Sequence, residues 1–138
     1  MLYTVGYIGW RLQDIQAVLE SHQASLVDIR FAPYSRNPAF RKAHLQAQLG
    51  ARYVHAQALG NRNYQGGPVE IVDYQRGRRI IAGLLDQWGA AILMCACAEV
   101  EECHRKGVGE RLSADLGVAL AHLQRPDPPP APQLPLGL

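Results

Sequence analysis

The sequence predicts one α/β domain, built on a mainly parallel sheet of about five strands with helices on both faces. Short apolar stretches that suit strands alternate along the chain with longer segments whose apolar residues recur at helical spacing. Strands that are separated by helices pair in parallel, and the connecting helices then cover both faces of the sheet. The length of 138 residues and the apolar fraction of 48% suit a single packed core.

The predicted strands are short runs of apolar and β-branched residues. The run at residues 90–94 does not alternate between polar and apolar positions, so it is expected at the centre of the sheet, buried on both faces. In chain order, the strands are predicted at residues 2–5, 25–29, 52–55, 90–94 and 118–122.

The predicted helices have recognisable ends. Asn37 followed by Pro38 is typical of an N-cap and a first helical position, and Gly50 and Gly89 are typical of helix C-termini. In chain order, the helices are predicted at residues 12–19, 38–49, 74–88 and 104–116.

Two segments fall outside this alternation. Residues 59–73 are polar and glycine-rich, and a loop of that length in a compact domain is often functional. Residues 124–138 are rich in proline and are predicted as a disordered tail, which leaves residues 1–123 as the domain.

Composition excludes several classes of protein. No apolar run approaches the length of about 20 residues that a membrane helix needs, and the first residues lack the pattern of a secretory signal, so a cytoplasmic protein is predicted with no membrane partner. The net charge of +2 is too small to indicate a large nucleic-acid footprint. The usual phosphate-binding glycine motifs are absent from the sequence. Neither a cofactor nor an oligomeric state follows from it.

Polar residues follow each predicted strand. Because ligands bind at the carboxyl ends of parallel strands, these residues are expected at one edge of the sheet. The groups are Gly6, Tyr7 and Trp10; Asp28, Arg30, Pro33, Ser35, Arg36 and Asn37; His55, Gly60 and Asn61; and Cys95, Cys97, Glu99, Cys103, His104 and Arg105.

The cysteine group is the most specific of these signals. All three cysteines of the chain lie between Cys95 and Cys103, which favours local chemistry over a disulfide framework. Three interpretations stay open. In the first, the three thiolates and His104 form a tetrahedral zinc set, although the spacing does not match a common zinc knuckle and adjacent residues such as Cys103 and His104 rarely bind one ion together. In the second, Cys95 or Cys103 acts as a nucleophile or redox group, with its pKa lowered by the helix start and Arg105. In the third, the cysteines are small buried apolar residues. No residue is assigned as a metal ligand.

Other residues at the strand ends also carry two interpretations. Asp28 and Arg30 form either a charged pair that lines the cleft or a structural ion pair. A single histidine at a strand end, such as His55, is more typical of a hydrogen-bonded structural residue than of a catalytic base. Tyr7 and Trp10 are more typical of aromatic residues that cover the core than of residues that stack on a substrate base.

Four motifs in order resemble the DUF488 family of uncharacterised proteins. They are TVGY near the start, LVDIR with FAPYSRNPAF, YVHAQALGNR, and LMCACAEVEECHR, and the resemblance covers residues 3–123. It implies an α/β fold and supports the location of a site rather than an activity. Tyr7 stands where the family usually has histidine, Asn61 replaces a common second glycine, and Cys97 often corresponds to glutamate. The residues that the resemblance singles out are Asp28, Arg30, Pro33, Ser35, Arg36, Asn37, Phe40, His55, Leu59, Gly60, Cys95, Cys103, His104 and Arg105.

These observations favour an enzyme-like cleft that acts on or binds a small anionic or nucleotide-like ligand. The candidate catalytic residues are Cys95, Cys103, His104 and Asp28, and the candidate binding residues are Arg30, Ser35, Arg36, Asn37, His55, Arg105 and Tyr7. One alternative is a nucleic-acid-binding module, in which arginines contact phosphates and aromatic rings stack on bases. Another is a domain that zinc stabilises through the Cys/His cluster.

Overall fold

The structure, a computed structural model that describes residues 1–97 and 99–126, is a parallel five-stranded sheet with four α-helices. This confirms the predicted fold class. The part of the predicted tail from residue 127 onward lies outside the described residues. The strands are β1 (Leu2–Gly6), β2 (Ser25–Asp28), β3 (Tyr53–His55), β4 (Ala91–Cys95) and β5 (Leu120–His122). The helices are α1 (Leu12–His22), α2 (Lys42–Leu49), α3 (Tyr74–Trp88) and α4 (His104–Leu116).

The strands lie in the order β3-β2-β4-β1-β5, and every neighbouring pair runs parallel. Strand β4 is the middle strand, and all five of its residues are buried, as its unbroken apolar sequence predicts. Strand ends differ from the predicted ones by at most two residues, which is ordinary for boundaries predicted from pattern alone.

Two apolar layers cover the sheet. Helices α1 and α2 pack on one face, through side chains that include Ile15 and Leu45. Helices α3 and α4 pack on the other face, through side chains that include Ile81 and Leu112. Side chains of a strand alternate between the faces, so neighbouring residues such as Leu26 and Val27 belong to different layers.

The ends of α3 and α4 fall where the sequence predicts them. The Asp73 carboxylate accepts a hydrogen bond from the backbone N–H of Arg76 and so caps α3. Gly89 and Gly117 close α3 and α4 with φ angles of 84° and 64°, in the left-handed region that glycine enters at little cost.

The predicted continuous helix over residues 38–49 is wrong. The chain forms a short 3-10 helix at Pro38–Phe40 and reaches an extended conformation at Arg41, so that α2 begins only at Lys42. The break lets the buried Phe40 ring stack on Tyr7, while the Arg41 Nε donates to the backbone carbonyl of Ser35. Tertiary packing therefore overrides a favourable helix start.

The long loop at residues 59–73 is closed at its base by a bridge between Asn61 and Ile71. The side-chain oxygen of Asn61 accepts hydrogen bonds from the backbone N–H groups of Asn63 and Glu70. Asparagine at position 61 thus has a structural role in the loop. Among the described helices, none has both the length and the apolar character to cross a bilayer.

Candidate functional site

A crevice is expected at the carboxyl ends of β1 and β4, which are neighbours in the sheet. Gly6 at the end of β1 pairs in register with Cys95 at the end of β4. The chain leaves β1 toward α1 on one face and leaves β4 toward α4 on the opposite face. In open parallel sheets, ligands bind where neighbouring strands send their connections to opposite faces.

Three side chains at the end of β4 and the start of α4 form a cluster, here called the thiol–imidazole centre. Its members are Cys95, Cys103 and His104, and their ligand atoms all lie within 4.8 Å of one another. Cys95 is the last residue of β4, Cys103 is the N-cap of α4, and His104 is the first residue of that helix. The prediction that the cysteine group comes together at this edge is confirmed for these three residues.

The orientation of His104 is set by a hydrogen bond to the chain that follows β2. Its Nε2 lies 3.2 Å from the carbonyl oxygen of Ile29, and because a carbonyl only accepts, Nε2 carries the proton. The other nitrogen, Nδ1, then presents its lone pair to the Cys95 Sγ, 3.7 Å away. Burial lowers the pKa of His104, so the ring is neutral at pH 7 and able to accept a proton or an ion.

The three thiols interact with one another and form no disulfide. Hydrogen bonds with Cys103 and Cys97, together with burial, raise the pKa of Cys95. Hydrogen bonds from Cys103 and Cys95 lower the pKa of the half-buried Cys97. The three thiols therefore form one hydrogen-bonded group, of which Cys97 is the least buried.

Asp28 and Arg30 form a buried ion pair in the other layer of the core. The guanidinium of Arg30 donates two hydrogen bonds to the carboxylate of Asp28, from Nε to Oδ1 at 2.8 Å and from Nη2 to Oδ2 at 2.6 Å. The hydroxyl of Tyr53 donates to the same carboxylate at 2.6 Å. Burial opposes the charge of Arg30, but the Asp28 carboxylate more than offsets it and keeps the pKa above its usual value. The pair contacts Tyr7 and Tyr53 in the layer of α1 and α2, whereas Cys95 and Cys103 belong to the opposite layer, so it does not face the thiols. It serves to hold the chain after β2, where Asp28 also accepts from the backbone N–H of Arg30.

Three other predicted residues after β2 and β3 make hydrogen bonds from their side chains to backbone groups: Ser35, Asn37 and His55. The Nε2 of His55 lies 2.9 Å from the carbonyl oxygen of Arg30. The Ser35 hydroxyl accepts from the backbone N–H of Asn37, and the Asn37 side chain accepts from the backbone N–H of Ala39. These contacts shape the segment between β2 and α2, and Arg36 stands exposed on it.

Beside β1 and β5 lies a cavity of about 320 Å³, here called the basic cavity. Arg105 lines it and is only 2% exposed, and the exposed Arg125 and the half-buried His122 line it too. Among the described residues that line it, Glu99 is the one acidic residue. Burial, and then the charge of Arg105, lowers the pKa of His122.

On the other side of the loop after β1 lies a wider groove of about 510 Å³, here called the aromatic groove. Tyr7, Trp10 and Tyr34 line it together with Ser35, Arg36 and Asn37. Tyr7 is stacked on Phe40 at 4.4 Å between ring centroids, whereas Tyr34 is 66% exposed. Ile8 and Trp10 line both the groove and the basic cavity, so the two are adjacent.

The consecutive residues Cys103, His104 and Arg105 divide between two sites. The first two belong to the thiol–imidazole centre, and the third lines the basic cavity. Arg105 thus follows the centre directly in sequence but lines a different space. The structure places four other predicted residues together in the aromatic groove: Tyr7, Ser35, Arg36 and Asn37. Arg30 and Asp28 stand apart from both the centre and the cavity.

Sequence reasoning missed His122, Arg125 and Tyr53. The signal that points to His122 and Arg125 is their place at the carboxyl end of the fifth predicted strand, where ligands also bind. Tyr53 lies inside β3, and nothing local distinguishes it from an ordinary core tyrosine.

Comparison with known proteins identifies the family of this chain but does not identify an activity. No curated protein and no solved structure matches the chain. The family described as "Domain of unknown function DUF488" matches residues 11–112, a span that includes α1, the Asp28–Arg30 pair and the thiol–imidazole centre. The chain therefore belongs to the DUF488 family, as its motifs indicate.

Proposed function

We propose that this protein is an enzyme-like domain that binds a small anionic, nucleotide-like ligand at the carboxyl edge of its sheet. The observation that carries the proposal is the junction at Ile8 and Trp10, where the basic cavity meets the aromatic groove. A ligand with an anionic end and a flat ring could occupy both spaces at once.

The basic cavity suits the anionic end of the ligand. Arginine offers planar, bidentate donors that match phosphate and carboxylate groups, and the described lining of the cavity has two arginines against one glutamate, with the neutral ring of His122 beside them. The buried Arg105 gives a fixed positive charge in a region of low dielectric. Arg125 packs over Gly9, where a Cβ would lie 2.9 Å from its side chain, so the loop after β1 helps to position it.

The aromatic groove suits the ring of the ligand. Trp10 and the exposed ring of Tyr34 offer apolar surface for stacking, which is tolerant of the identity of a base. Ser35 and Asn37 add polar atoms at the same wall. These are the features by which a nucleoside monophosphate differs from inorganic phosphate.

The thiol–imidazole centre stands on the other side of the segment that carries Glu99 and Arg105. Both of these residues line the cavity, while Cys103 and His104 lie between them in sequence and face the centre. In the proposed enzyme, the centre supplies the reactive groups and the cavity holds the ligand beside it. The proposal holds whether the thiols act free or through a bound ion.

Binding can be followed through Trp10, which lines both spaces. The chain has two tryptophans, so a Trp88→Phe background leaves Trp10 as the only fluorophore excited at the red edge of the tryptophan absorption band, where tyrosine does not absorb. Titration with inorganic phosphate, adenosine and AMP should give the tightest binding for AMP, because only AMP fills both spaces. Absence of any fluorescence change with AMP at millimolar concentration, confirmed by calorimetry, would contradict the proposal.

Two variants with matched controls separate the two ends of the ligand. Arg125→Gln should weaken phosphate and AMP by about tenfold, the effect of losing one charge-assisted hydrogen bond, whereas Arg79→Gln on the exposed face of α3 should not. Tyr34→Ala should weaken AMP and adenosine but not phosphate. Its control is Tyr64→Ala, because Tyr64 is similarly exposed, at 52%, and lies outside the groove. Equal losses in variants and controls would show that binding does not use this site.

A further inference from the structure

We propose that the thiol–imidazole centre is a Zn²⁺ site, with Cys95 Sγ, Cys103 Sγ and His104 Nδ1 as the three protein ligands. This inference goes beyond the proposed function and does not depend on it, because the ligand atoms are separate from the basic cavity and the aromatic groove.

The spacing of the ligand atoms fits tetrahedral zinc. Bonds of about 2.3 Å to sulfur and 2.0–2.1 Å to nitrogen place neighbouring ligands about 3.5–3.8 Å apart. The distance from Cys95 Sγ to His104 Nδ1 is 3.7 Å, and the whole set lies within 4.8 Å. Small side-chain rotations are therefore enough to close the set around an ion.

The third ligand atom distinguishes an ion from a simple thiol–histidine hydrogen bond. A single S–H···N bond also accounts for 3.7 Å between Cys95 and His104. Nδ1 has one lone pair and can accept from only one thiol, so Cys103 is held near the same point by its hydrogen bonds with the other thiols and not by the histidine. An ion at that point uses all three atoms.

The surroundings of the centre are those of a metal ligand set. A histidine that binds a metal usually donates its other N–H to a carbonyl or carboxylate, as His104 Nε2 does to the carbonyl of Ile29. Cys95 and Cys103 are buried in the layer that contains Ile29 and Val108. Two thiolates are costly there alone, but with one divalent cation and a neutral imidazole their charges sum to zero. Two thiolates and an imidazole favour zinc over magnesium or calcium, which prefer oxygen ligands.

The fourth position is left to water or to a reacting group. Cys97 is half-buried and hydrogen-bonds with Cys95 and Cys103, but it lies outside the set whose ligand atoms converge within 4.8 Å. Three protein ligands and one exchangeable position are the arrangement of catalytic zinc sites, whereas structural sites bind through four. Cys97 therefore serves as the matched control for the other two cysteines.

The first test is the metal content of the untagged full chain, purified without chelator. About one zinc per chain is expected by elemental analysis, and two fewer thiols should react with Ellman's reagent before chelation than after it. Replacement by Co²⁺ should give a thiolate-to-cobalt charge-transfer band and the visible bands of tetrahedral cobalt. Absence of zinc, with all thiols reactive and no tetrahedral cobalt spectrum after metal is added, would overturn the proposal.

Variants test the individual ligands. Cys103→Ala and His104→Asn should lower zinc affinity by more than the roughly 10–100-fold that loss of a supporting hydrogen bond costs, while Cys97→Ala should keep its zinc. Loss of zinc from Cys97→Ala as well would overturn the three-ligand assignment. If Cys103→Ala does not fold, competition of the wild-type chain with a chromophoric chelator still measures whether a tight site exists. The phosphate and AMP titrations, repeated after chelation, report on the ligand cleft separately.

Discussion

Gly6 packs against the backbone of Cys97 so closely that a Cβ atom at position 6 would lie 1.4 Å from the Cys97 carbonyl oxygen. The Nη2 atom of Arg105 would be 3.2 Å from the same Cβ. This contact joins the end of β1 to the segment that connects β4 to α4. The basic cavity and the thiol–imidazole centre both depend on that segment, so one glycine supports both sites.

Gly6→Ala should displace this segment. We expect a loss of about 1–3 kcal/mol in the free energy of unfolding, the usual cost of overpacking, together with weaker binding of zinc and AMP. Chemical denaturation and the two binding assays measure these effects. The control is Gly83→Ala on α3, where a Cβ meets nothing within 4 Å. It should stabilise the protein by about 0.5–1 kcal/mol through helix propensity. Wild-type stability and binding in Gly6→Ala would show that the contact is dispensable.

Asp28→Asn should destabilise the protein more than either Tyr53→Phe or Asp14→Asn. It leaves the guanidinium of Arg30 buried without its carboxylate, which costs about 3–5 kcal/mol. Tyr53→Phe removes only the hydroxyl that donates to Asp28, and a smaller loss of about 1–2 kcal/mol is expected. Asp14→Asn breaks the exposed pair with Arg11 and should leave the urea midpoint close to that of the wild type. A similar midpoint for Asp28→Asn and Asp14→Asn would contradict the structural role of the buried pair.

The stability of the folded protein should fall in acid partly because of His122. Burial and the charge of Arg105 lower its pKa below the ordinary 6.5, with Lys106 acting in the same direction and Glu110 and Glu101 against it. The unfolded chain therefore takes up the proton first, so this contribution is present above pH 6.5 and is lost as the pH falls through the folded pKa. His122→Gln offers an amide in place of the ring that contacts the Thr4 hydroxyl, and it should lose less stability than the wild type between pH 7.5 and pH 5. Parallel pH profiles for the two proteins would argue against this coupling.

Binding of a single-stranded oligonucleotide tests the alternative that the protein is a nucleic-acid-binding module. If the basic cavity holds one or two phosphates, log K against log salt for a labelled oligonucleotide should have a slope of only about −0.7 to −1.4. Arg125→Gln should flatten that slope, and Arg79→Gln should not. A slope several times steeper, unaffected by Arg125→Gln, would favour an extended nucleic-acid surface over a small-ligand cleft.

Local sequence determined the order of strands and helices and most of their ends. The bounds of α3 and α4 follow from apolar spacing and from the glycines that close them, and the central place of β4 follows from its unbroken apolar run. These features depend on neighbours in the chain, so they can be read without the fold. The same reasoning correctly brought Cys95, Cys103 and His104 to one sheet edge, because strand and helix ends are local features.

Tertiary structure alone decided which of those edge residues share a site. Asp28 ends β2, next to β4, and Arg30 follows two residues later, yet both side chains point into the layer opposite the thiols, because a side chain's face depends on register and pleat. The helix predicted over residues 38–49 is interrupted after Phe40, whose ring packs on Tyr7. His122 and Arg125 reach the cavity beside Gly6 only because β5 pairs with β1, more than a hundred residues earlier in the chain. No local pattern carries information about such a pairing, since its free energy comes from contacts that exist only after the sheet has formed.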